Sequence, residues 1–156
     1  MLIEEIIGEK LLNKGLTIST AESCTGGLLS SMLTDVSGSS AYVSYNVVTY
    51  ANEVKNKVLG VSHHILATYG AVSRECAEAM VLGLKTISDA DVCIVTTGIA
   101  GPGGGTPEKP VGLCYVGILY ENSLSIHELK MQSTTPRREM KKLFAQKALE
   151  LLNEKL

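Results

Sequence analysis

The run Thr20-Ala21-Glu22-Ser23-Cys24-Thr25-Gly26-Gly27 sits between a β-favouring segment, Leu16-Thr17-Ile18-Ser19, and an apolar helical segment, Leu28 to Leu33. A strand that passes into a helix through two adjacent glycines admits few architectures. Such a turn exposes side chains at the C-terminal end of the strand, and the helix start presents backbone N–H groups without intrahelical partners. Both features suit an anionic ligand or a covalent intermediate. Helix capping with tight packing is the simpler reading, but it accounts for one hydroxyl and not for the cluster.

The rest of the chain fits one α/β domain. Leu2, Ile3, Ile6, Ile7, Leu11 and Leu12 repeat at helical spacing, and Gly15 supplies a stop. The helix after the glycine pair is expected to run to about Thr34, followed by a loop. Tyr42 to Tyr50 alternates and is rich in Val and Tyr, the pattern of a strand. Asn52 reads as the N-cap of a helix Glu53 to Leu59, Ser62 as the cap of another short turn, and Ser73 as the cap of a helix through about Ile87. Val92 to Thr97 is a continuous apolar run ending in two threonines, as expected of a strand buried on both faces. Val111 to Tyr120 and Ser123 to Met131, separated by Glu121-Asn122, predict a hairpin. A last helix is expected from Pro136 to Asn153. Strands interleaved with helices, without internal repeats, predict a single-domain three-layer α/β/α sandwich over residues 1–156. The hairpin makes its sheet mixed.

Composition narrows the function classes. Among 156 residues, 45% are hydrophobic, which suffices for a real core. Formal net charge is −2, so there is no general affinity for nucleic acid or an acidic membrane. The four cysteines form no CxxC pair, and a disulfide framework is not expected. The acidic start Met1-Leu2-Ile3-Glu4-Glu5 is unlike a signal peptide, and no apolar stretch reaches membrane-span length. These features predict a cytoplasmic protein. Exposed strand edges on a small domain predict a homo-oligomer.

Ligands of open α/β sheets gather beyond the C-terminal strand ends, where Ser23 and Thr97 fall. The segment Gly98 to Gly112 follows Thr97 and holds six glycines and three prolines, yet lacks both the Walker and the Rossmann spacing. Its glycines permit close backbone approach to a phosphate or an oxyanion, and its prolines argue against a mobile linker. Lys55 lies in the first turn of its helix, where the dipole disfavours a cation and lowers its pKa. A general base for a serine hydroxyl needs that property. Solvation is the ordinary fate of a single lysine. Arg137 and Arg138 repeat the anomaly, with Thr135 and Pro136 read as N-cap and N1, and an arginine beside free helix N–H groups suits a phosphate. His63, His64 and His127 show no metal-ligand spacing, and GxSxG is absent. Cys24 is an alternative nucleophile, and a non-catalytic nucleotide-binding module is an alternative of another class.

Four segments resemble one family: Thr20 to Gly27 (TAESCTGG), Val48 to Lys55 (VTYANEVK), Gly70 to Ser73 (GAVS) and Thr97 to Gly112 (TGIAGPGGGTPEKPVG). They are similar to the C-terminal domain of the CinA competence-damage-inducible proteins, whose stand-alone members are nicotinamide-nucleotide amidases. The resemblance implies deamidation of nicotinamide mononucleotide to nicotinate mononucleotide and ammonia, with no metal or organic cofactor. It implies Ser23 as nucleophile, Lys55 as its base, Tyr50 assisting proton transfer and Thr97 supporting the site. Glu22 is expected in the substrate site, Thr25, Gly26 and Gly27 around the oxyanion, and Asn52, Gly101 and Gly103 along the pocket. Arg137 is expected at the phosphate. The family's last helix usually opens with Gly-Asp-Arg and a second Arg four residues on. Thr135-Pro136-Arg137 and Lys141 stand there in this chain.

Overall fold

The computed structural model describes all residues, 1–156. Five strands form one sheet in the order β2-β1-β3-β4-β5: β1 Ile18–Glu22, β2 Val43–Val48, β3 Val92–Gly98, β4 Leu113–Tyr120 and β5 Ser123–Lys130. The first three run parallel, and β4 and β5 run antiparallel as the predicted hairpin. Glu121 and Asn122 hold its turn with φ of 53° and 61°, the left-handed conformation a two-residue hairpin loop requires.

Helices cover both faces, as the three-layer prediction requires. On one face α1 (Ile3–Lys14), α2 (Leu28–Thr34) and α6 (Arg137–Lys155) pack on Ile18, Val92, Ile94, Val116 and Ile118. On the other, α3 (Asn52–Leu59) and α5 (Arg74–Ser88) pack on Ala21, Cys93 and Val95, with α4 (His63–Thr68) beside them. Successive β3 residues alternate between the two cores, as a strand with period two must. The predicted caps at Ser62 and Ser73 form: their side chains accept from the Ile65 and Cys76 N–H groups.

Three boundaries differ from expectation. β1 begins and ends later than Leu16-Ser19, because Thr20, Ala21 and Glu22 find ladder partners on both β2 and β3. Asn52 is the first residue of α3 and not its cap; extended Ala51 takes the cap position and makes no side-chain cap bond. Likewise Pro136 precedes α6 as its cap, so Arg137 opens the helix. The site lies where strand order reverses, with β2 on one side of β1 and β3 on the other.

Candidate active site

Residue 23 leaves β1 directly after Glu22, and its N–H donates to the Thr96 carbonyl of β3 at 3.1 Å. A tight turn follows, closed by the Gly26 N–H on the Ser23 carbonyl at 3.0 Å. Gly27 completes it at φ 105°, a conformation that an L side chain would strain, and passes the chain into α2. The Ser23 side chain is thereby held at the strand end beside the α3 lysine.

Lys55 is among the largest fully buried side chains in the molecule, 1% exposed. Its Nζ donates to Ser23 Oγ at 3.1 Å and to the Tyr50 carbonyl at 2.9 Å. No carboxylate pairs with it. Burial pushes its ammonium below the ordinary lysine value, against smaller opposing influences from Cys76 and Cys24. A buried amine of lowered proton affinity in contact with a hydroxyl can accept that hydroxyl's proton.

Ser23 and Lys55 open into a cavity of about 250 Å³ that Tyr50, Asn52, Thr97, Gly101, Gly103 and Arg137 also line. Eight of the twelve residues singled out above therefore meet in one place. Arg137 spans the mouth, donating to the Gly101 carbonyl at 2.8 Å and to the Tyr50 hydroxyl at 3.1 Å. It ties the glycine loop to the segment before α3. Thr97 donates to the Ala71 carbonyl at 2.8 Å and so fixes the Ala71-Val72 wall of the cavity. Its hydroxyl is not bonded to Ser23 or Lys55.

Four residues are placed elsewhere. Glu22 is fully buried, and its carboxylate accepts from the Leu29 and Ser30 N–H groups of α2, at 2.8 and 3.0 Å, and from the Thr25 hydroxyl at 2.6 Å. Thr25 is equally buried, its hydroxyl bonded to Glu22 and Thr96. Neither lines the cavity, and the reason is the pleat: Glu22 points to the α2 face of the sheet. Gly26 and Gly27 face a separate groove with Arg138, Lys141 and Lys142. The Gly26 N–H is already bonded within the turn, so it is no oxyanion donor here. The Cys24, Thr25 and Gly27 N–H groups, by contrast, donate to no other backbone group.

Sequence reasoning missed Thr96, because adjacent β3 threonines serve opposite faces and only one reaches the cavity. A larger groove, about 560 Å³ between α2 and α6, holds Leu28, Met32 and Leu143 but no nucleophile. No three His, Cys, Asp or Glu side chains converge as metal ligands would, and no helix is long and apolar enough to cross a membrane.

Cys24 lines the cavity but is 5% exposed, and its Sγ lies 3.9 Å from Cys114 Sγ in the core. Cys24→Ala is expected to keep turnover within about threefold of wild type, since Lys55 Nζ is bonded to Ser23 Oγ and the thiol's partner is Cys114. Loss of activity in that variant with Ser23→Ala still active would instead make the thiol the nucleophile.

Comparison with known proteins shows the family. The model of the CinA C-terminal domain matches residues 2–156. A CinA-like protein of Chlorobium chlorochromatii is 48% identical over 141 residues, 89% of this chain and 33% of that protein. A putative competence-damage inducible protein of Clostridium kluyveri is 48% identical over 85% of this chain and 32% of its own length. The chain thus spans about a third of the curated relatives it matches. Among solved structures, competence/damage inducible protein CihA of Agrobacterium tumefaciens superposes with a TM-score of 0.92 at 44% identity, covering 96% of this chain and 93% of that one. Competence damage-inducible protein A of Klebsiella pneumoniae superposes at 0.93 with 29% identity, over 98% and 94% of the two chains. With its glycine turn, glycine loop and five-stranded mixed sheet, this chain belongs to the CinA C-terminal domain family.

Proposed function

We propose that this domain is a serine–lysine amidohydrolase that converts nicotinamide mononucleotide to nicotinate mononucleotide and ammonia. The observation that carries the reading is the buried Lys55 amine, 3.1 Å from Ser23 Oγ with no acidic partner. Neutral Lys55 takes the hydroxyl proton as Ser23 Oγ attacks the carboxamide carbon. Cys24, which follows the nucleophile and lines the cavity, keeps a backbone N–H with no backbone acceptor, a donor available to the developing oxyanion. Collapse of the tetrahedral intermediate breaks the C–N bond, and the Lys55 proton leaves with ammonia. Water then enters, gives a proton to the amine, and releases the acid and free Ser23.

The choice of substrate rests on the family resemblance and on the Arg137 guanidinium at the cavity. Arg137 uses part of its fork on Gly101 and Tyr50 and keeps the remainder for a phosphate. Tyr50, held by that same arginine, borders the lysine through its carbonyl. Asn52, Gly101 and Gly103 shape the remaining wall.

Incubation with nicotinamide mononucleotide, followed by mass spectrometry and an ammonia assay, tests the reading. One ammonia per nicotinate mononucleotide is the expected result. Tight mononucleotide binding by calorimetry without turnover would overturn it and identify a binding module.

A further inference from the structure

We infer that Glu22, acting through Thr25 and Thr96, is a positioning residue that aims the Ser23 hydroxyl at Lys55. The inference rests on the reading of Ser23 as the nucleophile. It assigns Glu22 and Thr25 to the face of the sheet opposite the cavity.

The polar chain under the turn has a defined direction. A carboxylate only accepts, so the Thr25 hydroxyl donates its one proton to Glu22 at 2.6 Å. Thr25 Oγ1 must then accept from the Thr96 hydroxyl at 2.8 Å. The carboxylate's other contacts are the Leu29 and Ser30 N–H groups. All three side chains are fully buried. No Lys or Arg pairs with Glu22, so three directed donors are what hold a carboxylate in this core.

Its placement gives this network a consequence for chemistry. Ser23 lies between Glu22, which grips α2, and Thr25, which grips β3 through Thr96. The Glu22 carbonyl also accepts from Thr49 N–H at 2.8 Å, one residue before Tyr50, whose carbonyl holds Lys55. The Glu22 carboxylate therefore braces the turn carrying the nucleophile, while the backbone carbonyl of the same residue joins that turn to the segment that seats the base. Plain helix capping needs neither the Thr25 nor the Thr96 hydroxyl. A Ser–Lys pair does need such bracing, because displacement of about 1 Å costs roughly a hundredfold in rate.

Thr25→Val preserves shape and removes the relay, and Thr25→Ser restores the hydroxyl. Two rates are read on folded protein: ammonia release from nicotinamide mononucleotide, and covalent labelling of Ser23 by a fluorophosphonate, followed by intact mass. Thr25→Val is expected to lower kcat and the labelling rate about tenfold with KM within about twofold, and Thr25→Ser to recover both. A lower melting temperature with both rates unchanged would show a purely structural role and overturn the proposal. So would failure of Thr25→Ser to recover them, or absence of Ser23 labelling in the wild type. If the wild type labels at Ser23 yet releases no ammonia, the proposed function fails, and the labelling ratio alone decides this inference. Should Thr25→Val not fold, Thr96→Val, which removes only the outer donor, is expected to slow labelling about threefold, and an unchanged rate would overturn it.

Discussion

Lys55→Met is expected to reduce ammonia release about a thousandfold or more while leaving the protein at least as heat-stable as wild type at neutral pH. The loss follows from the geometry. The only cationic side chain bonded to Ser23 Oγ is removed, and general-base assistance with an activated nucleophile contributes on that scale. Ser23→Ala and the double variant are expected to fall to the same floor, because the two groups act as one unit and their effects do not add. Additive losses would show that they act separately.

The stability half of this prediction turns on the sign of the lysine shift. Burial lowers the folded-state proton affinity of Lys55 below the ordinary value of 10.5. Between the lowered value and 10.5 the unfolded chain therefore binds more protons than the folded one, and stability contributed by this site rises with pH across that window. Below the window the folded state carries the full penalty of the buried group. An apolar side chain of similar length does not carry it. Thermal melts of wild type and Lys55→Met across pH should converge as the pH rises towards 10.5. In the wild type, kcat/KM should rise with pH as Lys55 loses its proton and level off below 10.5. A profile flat through the whole alkaline range would remove Lys55 as the base.

Particular residues show what was legible in the chain. The strand–glycine–helix turn, the first-turn lysine and the threonine at a buried strand end were readable because each violates or punctuates a local pattern. The core, the hairpin and both serine caps followed from periodicity and turn chemistry. Glu22 lies away from the cavity for a non-local reason. Its carboxylate accepts from backbone N–H groups seven and eight residues later, a contact that depends on the angle at which α2 leaves the turn. Thr96 was overlooked because local sequence does not say which of two adjacent threonines faces a cavity. The caps of α3 and α6 shifted by one residue because Ala51 and Pro136 are already extended, which leaves no role for a side-chain oxygen.

Gly83→Ala is expected to destabilise the fold by about 1–3 kcal/mol and to lower activity well beyond what partial unfolding explains. Gly83 lies within α5, far from the cavity in sequence, and lines no part of it. A Cβ at this position would fall inside the van der Waals radius of the Leu59 carbonyl oxygen, and the other atoms it meets are also Leu59 backbone. Backbone cannot swing aside as a side chain does, so α3 and α5 must separate. Leu59 ends α3, the same eight-residue helix that carries Lys55, and it packs in one core with Met80, Val81 and Leu84 of α5. A rigid outward shift of α3 draws Nζ away from Ser23 Oγ and lengthens a contact now at 3.1 Å. Melting temperature, kcat per folded molecule and the Ser23 labelling rate together separate the two effects. A variant that melts lower but labels Ser23 at the wild-type rate would show that α3 bends at its C-terminus and leaves Lys55 in place. Equal losses of kcat and labelling would show that the close approach of two helices, permitted by a single absent methyl group, holds the base against its nucleophile.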